Sequence, residues 1–252
     1  MVVKKTVLIT PFNLKRKVHI YLPKGYKSSE EKYPVLYMYD GHNLFYDSDA
    51  TYGKCWGIRE YLDKRKAKLI VVGVECNHEG NERLCEYSPY SFKDRYWGTV
   101  DGRGKAFMDW LVTELKPWAD DNFRTLPDRE NTGIAGSSMG GLMSVYSIAV
   151  YNKTFSKAAC LSSFVHKNFK ELKKETNIKY KKDTRIYLSW EAREFKNRSQ
   201  LAHGTGYNLS LANQMMKNGA KVYLNQPLDG YHNEASWEKE VPVFMEFLFP
   251  MI

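Results

Sequence analysis

A short turn near the middle of the chain places a serine between two glycines, in Gly136-Ser137-Ser138-Met139-Gly140. The pattern Gly-x-Ser-x-Gly is typical of a nucleophile elbow, in which a strand ends, a serine occupies the apex of a sharp turn and a helix begins at once. Because strand and helix pass close together, a side chain at either glycine would obstruct the turn. The pattern therefore predicts that the hydroxyl of Ser138 is exposed above the positive end of a helix.

The sequence on both sides of the turn favours this interpretation. Residues 131–135 before it are predicted to form a short buried strand, and the apolar residues 142–150 after it are compatible with a helix. By chance alone, Gly-x-Ser-x-Gly would occur in roughly one chain of this length in ten or twenty. A glycine- and serine-rich turn without chemistry is the alternative, and the strand–turn–helix context favours the elbow.

Apolar runs and helical spacing predict that strands alternate with helices along the chain. Strands are predicted at residues 1–10, 18–23, 33–41, 68–74, 156–162, 184–188 and 220–224, in addition to the strand before the elbow. Helices are predicted at residues 56–64, 104–122, 207–218 and 237–248. This alternation indicates an α/β fold with a mostly parallel central sheet flanked by helices. Because the sequence shows no internal repeat and no linker, residues 1–252 are expected to form one domain.

Composition narrows the range of partners. No apolar run approaches the ~20 residues that span a bilayer, and the apolar stretch at residues 1–10 is too short for a secretion signal, so a cytoplasmic protein without membrane contact is expected. The net charge is +9, but the basic residues form no stripe and no nucleic-acid motif is present, so nucleic acid is not expected as a partner. The basic segment 167–185 is interpreted as a solvated surface or, alternatively, as a patch that attracts anionic substrates.

The cysteines do not form a recognisable metal or disulfide pattern. Cys55, Cys76, Cys85 and Cys160 are scattered, without a Cys-x-x-Cys or Cys/His spacing. We therefore expect four free thiols, no structural zinc site and no other metal.

A serine hydroxyl needs a nearby base to become a nucleophile at neutral pH. After an elbow of this kind the catalytic residues follow in the order serine, acid, histidine, so that His166, His203 and His232 are the candidates. His166 comes too early to leave room for the acid, and His203 lies just before a predicted helix. His232 follows the last predicted strand and precedes the last helix, where a loop at the carboxyl end of the sheet is expected to carry the base.

The acid is expected in the loop after the predicted strand at residues 184–188, where it would accept the Nδ1–H of the histidine. That loop offers Glu191 and Glu194, and spacing alone does not choose between them. Asp229 is close to His232 in sequence, but it belongs to the loop of the base itself.

Two backbone N–H groups are needed to stabilise the oxyanion that forms when a serine attacks a carbonyl. One is expected at Met139, directly after the nucleophile, and the other in a loop that follows an early strand. Asp40-Gly41-His42-Asn43 follows such a strand, so the backbone of His42 or of Asn43 is the expected second donor. The imidazole of His42 is interpreted as a wall of the pocket rather than as a base.

Over nearly its whole length the chain resembles the "putative esterase" family of α/β-hydrolases, which includes enterochelin esterases, feruloyl esterase domains and S-formylglutathione hydrolases. The matching segments are YPVLYMYDGHNLF at 33–45, EYSPY at 86–90, NFRTLPDRENT at 122–132 and GSSMGG at 136–141. The resemblance implies an α/β-hydrolase fold, Ser138 as nucleophile and His232 as base. The family's Gly-x-x-Glu/Asp frame falls on residues 191–194 and implies Glu194 as the acid. Glu191 replaces the glycine of that frame and stays an alternative.

The sequence and the resemblance together predict a serine carboxylesterase that acts through an acyl-enzyme and needs no metal or organic cofactor. The expected partner is a small-molecule ester, either a feruloyl or other hydroxycinnamoyl ester or an acetyl ester of a plant-type carbohydrate. Aromatic residues near the catalytic loops are expected to line the substrate pocket: Trp56, Tyr90, Trp97 and Trp190. The alternatives are a siderophore trilactone esterase of the enterochelin type and, from another class, a non-catalytic ligand-binding protein on a hydrolase scaffold. The oligomeric state stays open.

Overall fold

An eight-stranded sheet runs through the structure, a computed structural model that describes residues 1–250. The strands along the chain are β1 (Val2–Ile9), β2 (Leu14–Tyr21), β3 (Val35–Tyr39), β4 (Ile70–Val74), β5 (Phe92–Asp94), β6 (Gly98–Val100), β7 (Thr132–Ser137), β8 (Lys157–Leu161), β9 (Arg185–Ser189) and β10 (Lys221–Asn225). In space the order is β1-β2-β4-β3-β7-β8-β9-β10, while β5 and β6 pair as a separate hairpin.

Most of the sheet is parallel, as predicted. β1 pairs with β2, and β2 with β4, in antiparallel fashion, and every pair from β4 across to β10 is parallel. The central strands β3, β4 and β7 are buried at every position. Because strands of a parallel sheet are buried on both faces, their sequences are nearly continuous apolar runs, as these strands show.

Helices cover both faces of this sheet. They are α1 (Ile58–Arg65), α2 (Glu82–Glu86), α3 (Gly104–Trp110), α4 (Lys116–Asn122), α5 (Met139–Val150), α6 (Phe169–Glu175), α7 (Arg198–Lys217) and α8 (Glu234–Leu248). Alternate residues of β3 enter opposite cores: Tyr37 and Tyr39 pack with α3, α5 and α7, whereas Leu36 and Met38 pack with α1 and α8. This strand order with helices on both faces is the α/β-hydrolase architecture.

Two helices differ in detail from the sequence-based expectation. The helix predicted at 104–122 is present as α3 and α4, joined by a π-helical turn at Leu111–Leu115. Pro117 has no N–H to donate to an earlier carbonyl, and the wider turn before it accommodates that loss. Helix α7 begins at Arg198 rather than at residue 207, since Asn197 caps it and the ring of Phe195 packs where a side chain at Gly204 would lie.

The loops that follow the parallel strands meet at the carboxyl edge of the sheet. These loops begin after β3, β4, β7, β8, β9 and β10, and an open α/β sheet binds its ligands at this edge. Within residues 1–250, no helix combines the length and the apolar composition needed to cross a bilayer.

Candidate active site

Ser138 occupies a strained turn between β7 and α5, as the elbow motif predicts. Its backbone angles are φ 57° and ψ −118°, a conformation that costs a non-glycine residue of order 1–3 kcal/mol. A Cβ at Gly136 would lie 2.8 Å from the carbonyl carbon of Gly140, so the turn requires a glycine there. The N–H of Ser138 donates to the carbonyl of Leu161 at 3.0 Å, and the N–H of Phe164 donates to the carbonyl of Ser138 at 3.1 Å. The elbow is thereby fixed to the loop after β8.

The first oxyanion donor expected from the sequence lies directly after the elbow. Met139 is the first residue of α5, and the N–H groups of a first helical turn have no intrahelical acceptor. The partial positive charge of the helix start adds to the attraction for an anion at this position.

The structure brings Glu194, rather than Glu191, to His232. Oε2 of Glu194 lies 2.9 Å from Nδ1 of His232. The side chain of Glu194 is 9% exposed and that of His232 is 38% exposed, so the carboxylate is largely enclosed while the imidazole faces the solvent. Two backbone hydrogen bonds join the loops: Ala192 N–H donates to the carbonyl of Pro227 at 3.0 Å and Arg193 N–H to that of Gly230 at 3.1 Å. The loops after β9 and β10 therefore form one unit.

Glu191 lies beneath that unit and is fully buried. A Cβ at Gly230 would lie only 1.5 Å from Oε2 of Glu191, so Gly230 provides the space for this carboxyl group. Burial, followed by the neighbouring carboxyl of Glu240, raises the pKa of Glu191 to about 9. A carboxyl that is enclosed under the loop and whose pKa is raised in this way supports the loop, whereas the carboxylate that reaches His232 is that of Glu194.

The start of α8 positions His232. Asn233 caps this helix by accepting from the N–H of Ser236 at 3.0 Å, and the hydroxyl of Ser236 accepts from the N–H of Tyr231 at 2.8 Å. The ring of His232 packs edge-on against Trp237, with 5.2 Å between centroids. Nε1 of Trp237 in turn donates to Oγ of Ser162 at 2.9 Å. Ser162 follows the residue that accepts from the Ser138 amide, so the base and the elbow are held by the same short segment.

The loop after β3 forms a tight turn of the kind that can present a backbone N–H as the second oxyanion donor. Residues Gly41–Asn43 form a single 3-10 turn after Asp40, whose φ is 55°. The N–H of Asn43 donates to the carbonyl of Asp40 at 2.8 Å, which leaves the N–H of His42 as the candidate donor. A Cβ at Gly41 would lie 2.3 Å from the carbonyl oxygen of Gly73, so the loop rests directly on β4.

A partly buried ion pair that sequence reasoning missed holds this loop. Nε and Nη2 of Arg83, in α2, donate to the two carboxylate oxygens of Asp40 at 2.8 and 2.7 Å. Burial acts to raise the pKa of Asp40, but the charge and hydrogen bonds of Arg83 outweigh it and hold that pKa below its usual value. Nδ2 of Asn43 also donates to Oε1 of Glu234 at 3.3 Å, which ties the loop to the start of α8. No feature of the sequence connects Asp40 with Arg83, because α2 is too short to be predicted from periodicity.

Two of the four expected pocket residues are core residues instead, so their prediction was wrong. Trp56 is buried against Trp237, with ring centroids 5.5 Å apart. Trp190 is buried as well, and its Nε1 donates to Oγ1 of Thr205 on α7 at 2.9 Å. Both residues lie near a catalytic loop in sequence, but their large apolar surfaces fill the space between sheet and helix.

The other two expected pocket residues lie nearer the surface. Trp97 is 36% exposed on the β5–β6 hairpin, and its ring lies 5.7 Å from that of Phe164. The amide of Phe164 donates to the carbonyl of Ser138, so the backbone that carries this aromatic pair adjoins the elbow. Tyr90 is half-buried, packs against Tyr146 and donates its hydroxyl to Glu175. Phe164 was not predicted.

The rejected histidines lie outside the Glu194–His232 unit. His203 is on the exposed face of α7, with Nδ1 2.7 Å from the carbonyl oxygen of Ser199. It lies within the helix, not before it as predicted. His166 packs its ring against Phe164 at 4.3 Å.

All four cysteines are free and buried. One of them, Cys76, lies beside His42 and His78, and the potential ligand atoms of the three side chains are all within 4.8 Å of one another. These residues could hold a metal ion. Their linear spacing follows no known metal motif, which is why the sequence did not predict the cluster.

Comparison with known proteins gives the family. The sequence model of a family described as "Putative esterase" matches residues 10–247. The chain belongs to this esterase family. As predicted, it is thus a member of a family of carboxylic ester hydrolases with the α/β-hydrolase fold.

Relatives include proteins with and without an assigned activity. The uncharacterized protein YbbA of Bacillus subtilis is 24% identical over 74% of this chain and 72% of its own length. The esterase Rv1288 of Mycobacterium tuberculosis is 30% identical over 56% of this chain, but the match spans only 28% of that protein.

Solved structures share the fold at low sequence identity. An IroE-like serine hydrolase from Shewanella oneidensis superposes with a TM-score of 0.79 at 19% identity, covering 99% of this chain and 80% of the other. A ferulic acid esterase superposes with a TM-score of 0.69 at 17% sequence identity, covering 99% of this chain and 97% of the other. Ferric enterobactin esterase from Salmonella typhimurium superposes with a TM-score of 0.73 at 16% sequence identity, covering 99% of this chain and 58% of the other.

Proposed function

We propose that this esterase is a serine carboxylesterase with Ser138 as nucleophile, His232 as general base and acid, and Glu194 as the residue that orients the histidine. The observation that carries the proposal is the 2.9 Å contact between Glu194 and His232, on loops that lie at the same edge of the sheet as the strained elbow of Ser138. Such a contact selects the tautomer of histidine that carries the proton on Nδ1, which leaves Nε2 free to accept the serine proton.

The reaction then follows from the atoms present. Ser138 Oγ attacks the ester carbonyl while Nε2 of His232 takes its proton, and the oxyanion receives hydrogen bonds from the N–H groups of Met139 and His42. Collapse of the tetrahedral intermediate breaks the bond to the alcohol, which leaves with the proton from His232. Water, activated by the same histidine, hydrolyses the acyl-enzyme and restores Ser138.

An aromatic acyl group is the substrate class that the aromatic pair of Trp97 and Phe164 favours. The backbone of Phe164 adjoins the elbow, and offset or edge-on packing against a flat ring contributes about 0.5–1.5 kcal/mol beyond burial. A feruloyl or other hydroxycinnamoyl ester fits such a pair, and the structural likeness to a ferulic acid esterase supports this choice. An acetyl ester of a plant-type carbohydrate is the smaller alternative within the same class.

A siderophore trilactone is the second candidate, favoured by cationic groups around the same hairpin. Nζ of Lys196 lies 5.8 Å from the ring centroid of Tyr96, and Nζ of Lys167 pairs with Asp94 at 2.7 Å. Cationic and aromatic groups side by side suit an anionic catecholate, and ferric enterobactin esterase shares the fold.

One substrate panel separates these candidates. Methyl ferulate, an acetylated xylo-oligosaccharide, enterobactin and an acyl thioester are compared by kcat/KM, with Ser138→Ala as the inactive reference. We expect the highest value for methyl ferulate; a higher value for enterobactin would favour the trilactone candidate. A protein that hydrolyses nothing faster than Ser138→Ala would be the non-catalytic binding protein, and labelling of Ser138 by a fluorophosphonate, located by mass spectrometry, checks the nucleophile independently.

A further inference from the structure

We infer that His42, Cys76 and His78 form a binding site for a zinc ion, a site separate from the triad proposed above. The three residues come from the loops after β3 and β4, which are neighbours in the sheet. Sγ of Cys76 lies 3.9 Å from Nδ1 of His78, and the rings of His42 and His78 are 4.6 Å apart between centroids. The two histidines and the thiol therefore converge on one point.

His42 supplies an observation that points to a missing ligand. The residue is only 5% exposed, and its Nε2 lies 3.0 Å from Oγ1 of Thr51. Its other nitrogen, Nδ1, is buried and has no hydrogen-bond partner among residues 1–250. A buried nitrogen without a partner destabilises the folded protein, and a metal bound to Nδ1 would provide that partner.

Both histidines have an oxygen atom near their second nitrogen, and that of His42 is within hydrogen-bond distance. Nε2 of His42 faces the hydroxyl of Thr51, and Nε2 of His78 lies 4.0 Å from Oε2 of Glu75. In metal sites the outer N–H donates to a hydroxyl, carbonyl or carboxylate, which fixes the tautomer and leaves the inner nitrogen free to bind. The inner nitrogens here are the two Nδ1 atoms, and that of His78 faces Cys76.

The set of donors selects the kind of metal. One thiolate and two imidazoles suit a borderline-soft cation such as Zn²⁺, whereas Mg²⁺ and Ca²⁺ require oxygen ligands. In a tetrahedral zinc site the ligand atoms are about 3.4–3.6 Å apart, so the present spacing, within 4.8 Å, has to contract by up to about 1.4 Å. The side chain of His78 is 54% exposed and can make that movement. A water molecule would complete the tetrahedron.

Zinc itself has to displace the thiol proton, because burial and then the neighbouring carboxylate of Asp40 raise the pKa of Cys76. When zinc binds, the S–H bond of Cys76 breaks, its proton passes to the solvent and a Zn–S bond forms. The nearest acidic group, Asp40, is paired with Arg83 at 2.7 Å. The thiolate is therefore not left beside an uncompensated carboxylate.

Direct titration of the metal-free protein with Zn²⁺, in competition with a chromophoric chelator of micromolar affinity, tests the site. We expect one equivalent per chain and at least about 10-fold weaker binding in His78→Ala and Cys76→Ser. The matched controls are His203→Ala, another exposed histidine, and Cys85→Ser, another buried thiol; both should bind as the unmodified protein does. With Co²⁺, a thiolate-to-metal charge-transfer absorption should appear and be absent in Cys76→Ser.

Two results would overturn the site. One is the absence of binding in competition with the chelator. The other is zinc binding that His78→Ala leaves unchanged or that His203→Ala weakens equally, since zinc would then be held by surface histidines. If Cys76→Ser unfolds, His78→Ala still decides the matter, because an exposed side chain is replaced. Hydrolysis of p-nitrophenyl acetate by His78→Ala, measured in parallel, keeps failure of this site distinct from failure of the proposed triad.

Discussion

The nucleophile elbow, residues 136–140, and the acid–base arm, formed by Glu194 and His232 with their loops, meet at one edge of the sheet but are held in different ways. Every elbow residue except Ser138 is buried, and backbone contacts to the neighbouring loop fix the turn. The arm depends on a contact between side chains from two loops, and its histidine is 38% exposed. The elbow is thus set by local backbone geometry, whereas the arm is set by how two distant loops dock.

This difference has a consequence for function. The backbone contacts of the elbow keep Ser138, the proposed nucleophile, in place independently of the arm, so a change in the arm should affect proton transfer and leave the position of Ser138 intact. Substitutions in the two regions should therefore differ in the size of their effects.

The largest effect is expected from Ser138→Ala, which removes the nucleophile. The turnover number for p-nitrophenyl acetate should fall by a factor on the order of 10⁴ or more, because the rest of the site achieves little without the attacking oxygen. The control is Ser137→Ala, the buried serine next to it, which should retain activity within about 10-fold. If Ser138→Ala kept a tenth of the original kcat, Ser138 would not be the nucleophile.

His232→Ala should be almost as damaging, since an unassisted serine hydroxyl gains little from an intact elbow. The same assay applied to His203→Ala and His166→Ala should show mild changes, because neither ring reaches Glu194. Equal losses at His203 and His232 would mean that the exposed arm does not have the geometry described above.

Glu194→Gln should reduce kcat by roughly 10–10⁴-fold, less than the loss of either partner. The amide keeps the shape of the side chain, but it cannot stabilise the imidazolium and it can favour the wrong tautomer. The matched variant is Glu191→Gln, three residues earlier in the same loop, which should change kcat only a few-fold. A larger loss in Glu191→Gln than in Glu194→Gln would reverse their assignments.

The elbow and the strands beneath it could be predicted because their signals are local. The apolar runs of β3 and β4 reflect burial on both faces of the sheet, and the spacing of Gly136, Ser138 and Gly140 reflects one close approach. The start of α7 was predicted too late because Gly204 lowers helix propensity, while the packing of Phe195 on that glycine is visible only in three dimensions.

The contacts that complete the site could not be predicted from sequence because they join distant segments. The resemblance to the family suggested Glu194, whereas residue spacing left Glu191 equally suitable. The structure separates the two, because Gly230 leaves room for Glu191 beneath the loop and Glu194 is the residue that reaches His232. The pairing of Asp40 with Arg83 and the approach of Cys76 to His42 depend on β3 and β4 being neighbours. Tryptophans near catalytic loops were taken for pocket residues, and only packing distinguishes the buried Trp56 from the exposed Trp97.

Glu191→Gln, which replaces the buried carboxyl under the arm, should have the smallest effect on catalysis but a clear effect on the pH dependence of stability. The pKa of Glu191 is raised by burial, and then by Glu240, from 4.5 to about 9. Between these values the folded protein binds more protons than the unfolded chain. The stabilisation from the neutral carboxyl is therefore complete below about pH 4.5 and is lost as pH rises through 9, by at most about 1.4 kcal/mol per pH unit.

Glu191→Gln replaces this carboxyl with a group that does not titrate. Between pH 6 and pH 9 the free energy of unfolding should therefore fall less in the variant than in the unmodified protein, and the difference should reach about 1–3 kcal/mol at pH 9. Urea denaturation at both pH values measures it. Glu246→Gln is the control, because that side chain on α8 is 63% exposed and is not among the groups that raise the pKa of Glu191; the pH dependence should stay as in the unmodified protein. The same change in the free energy of unfolding between pH 6 and pH 9 in both proteins would show that Glu191 is already ionised in the folded state at pH 6, and the arm would then rest on a buried charge rather than on a neutral acid.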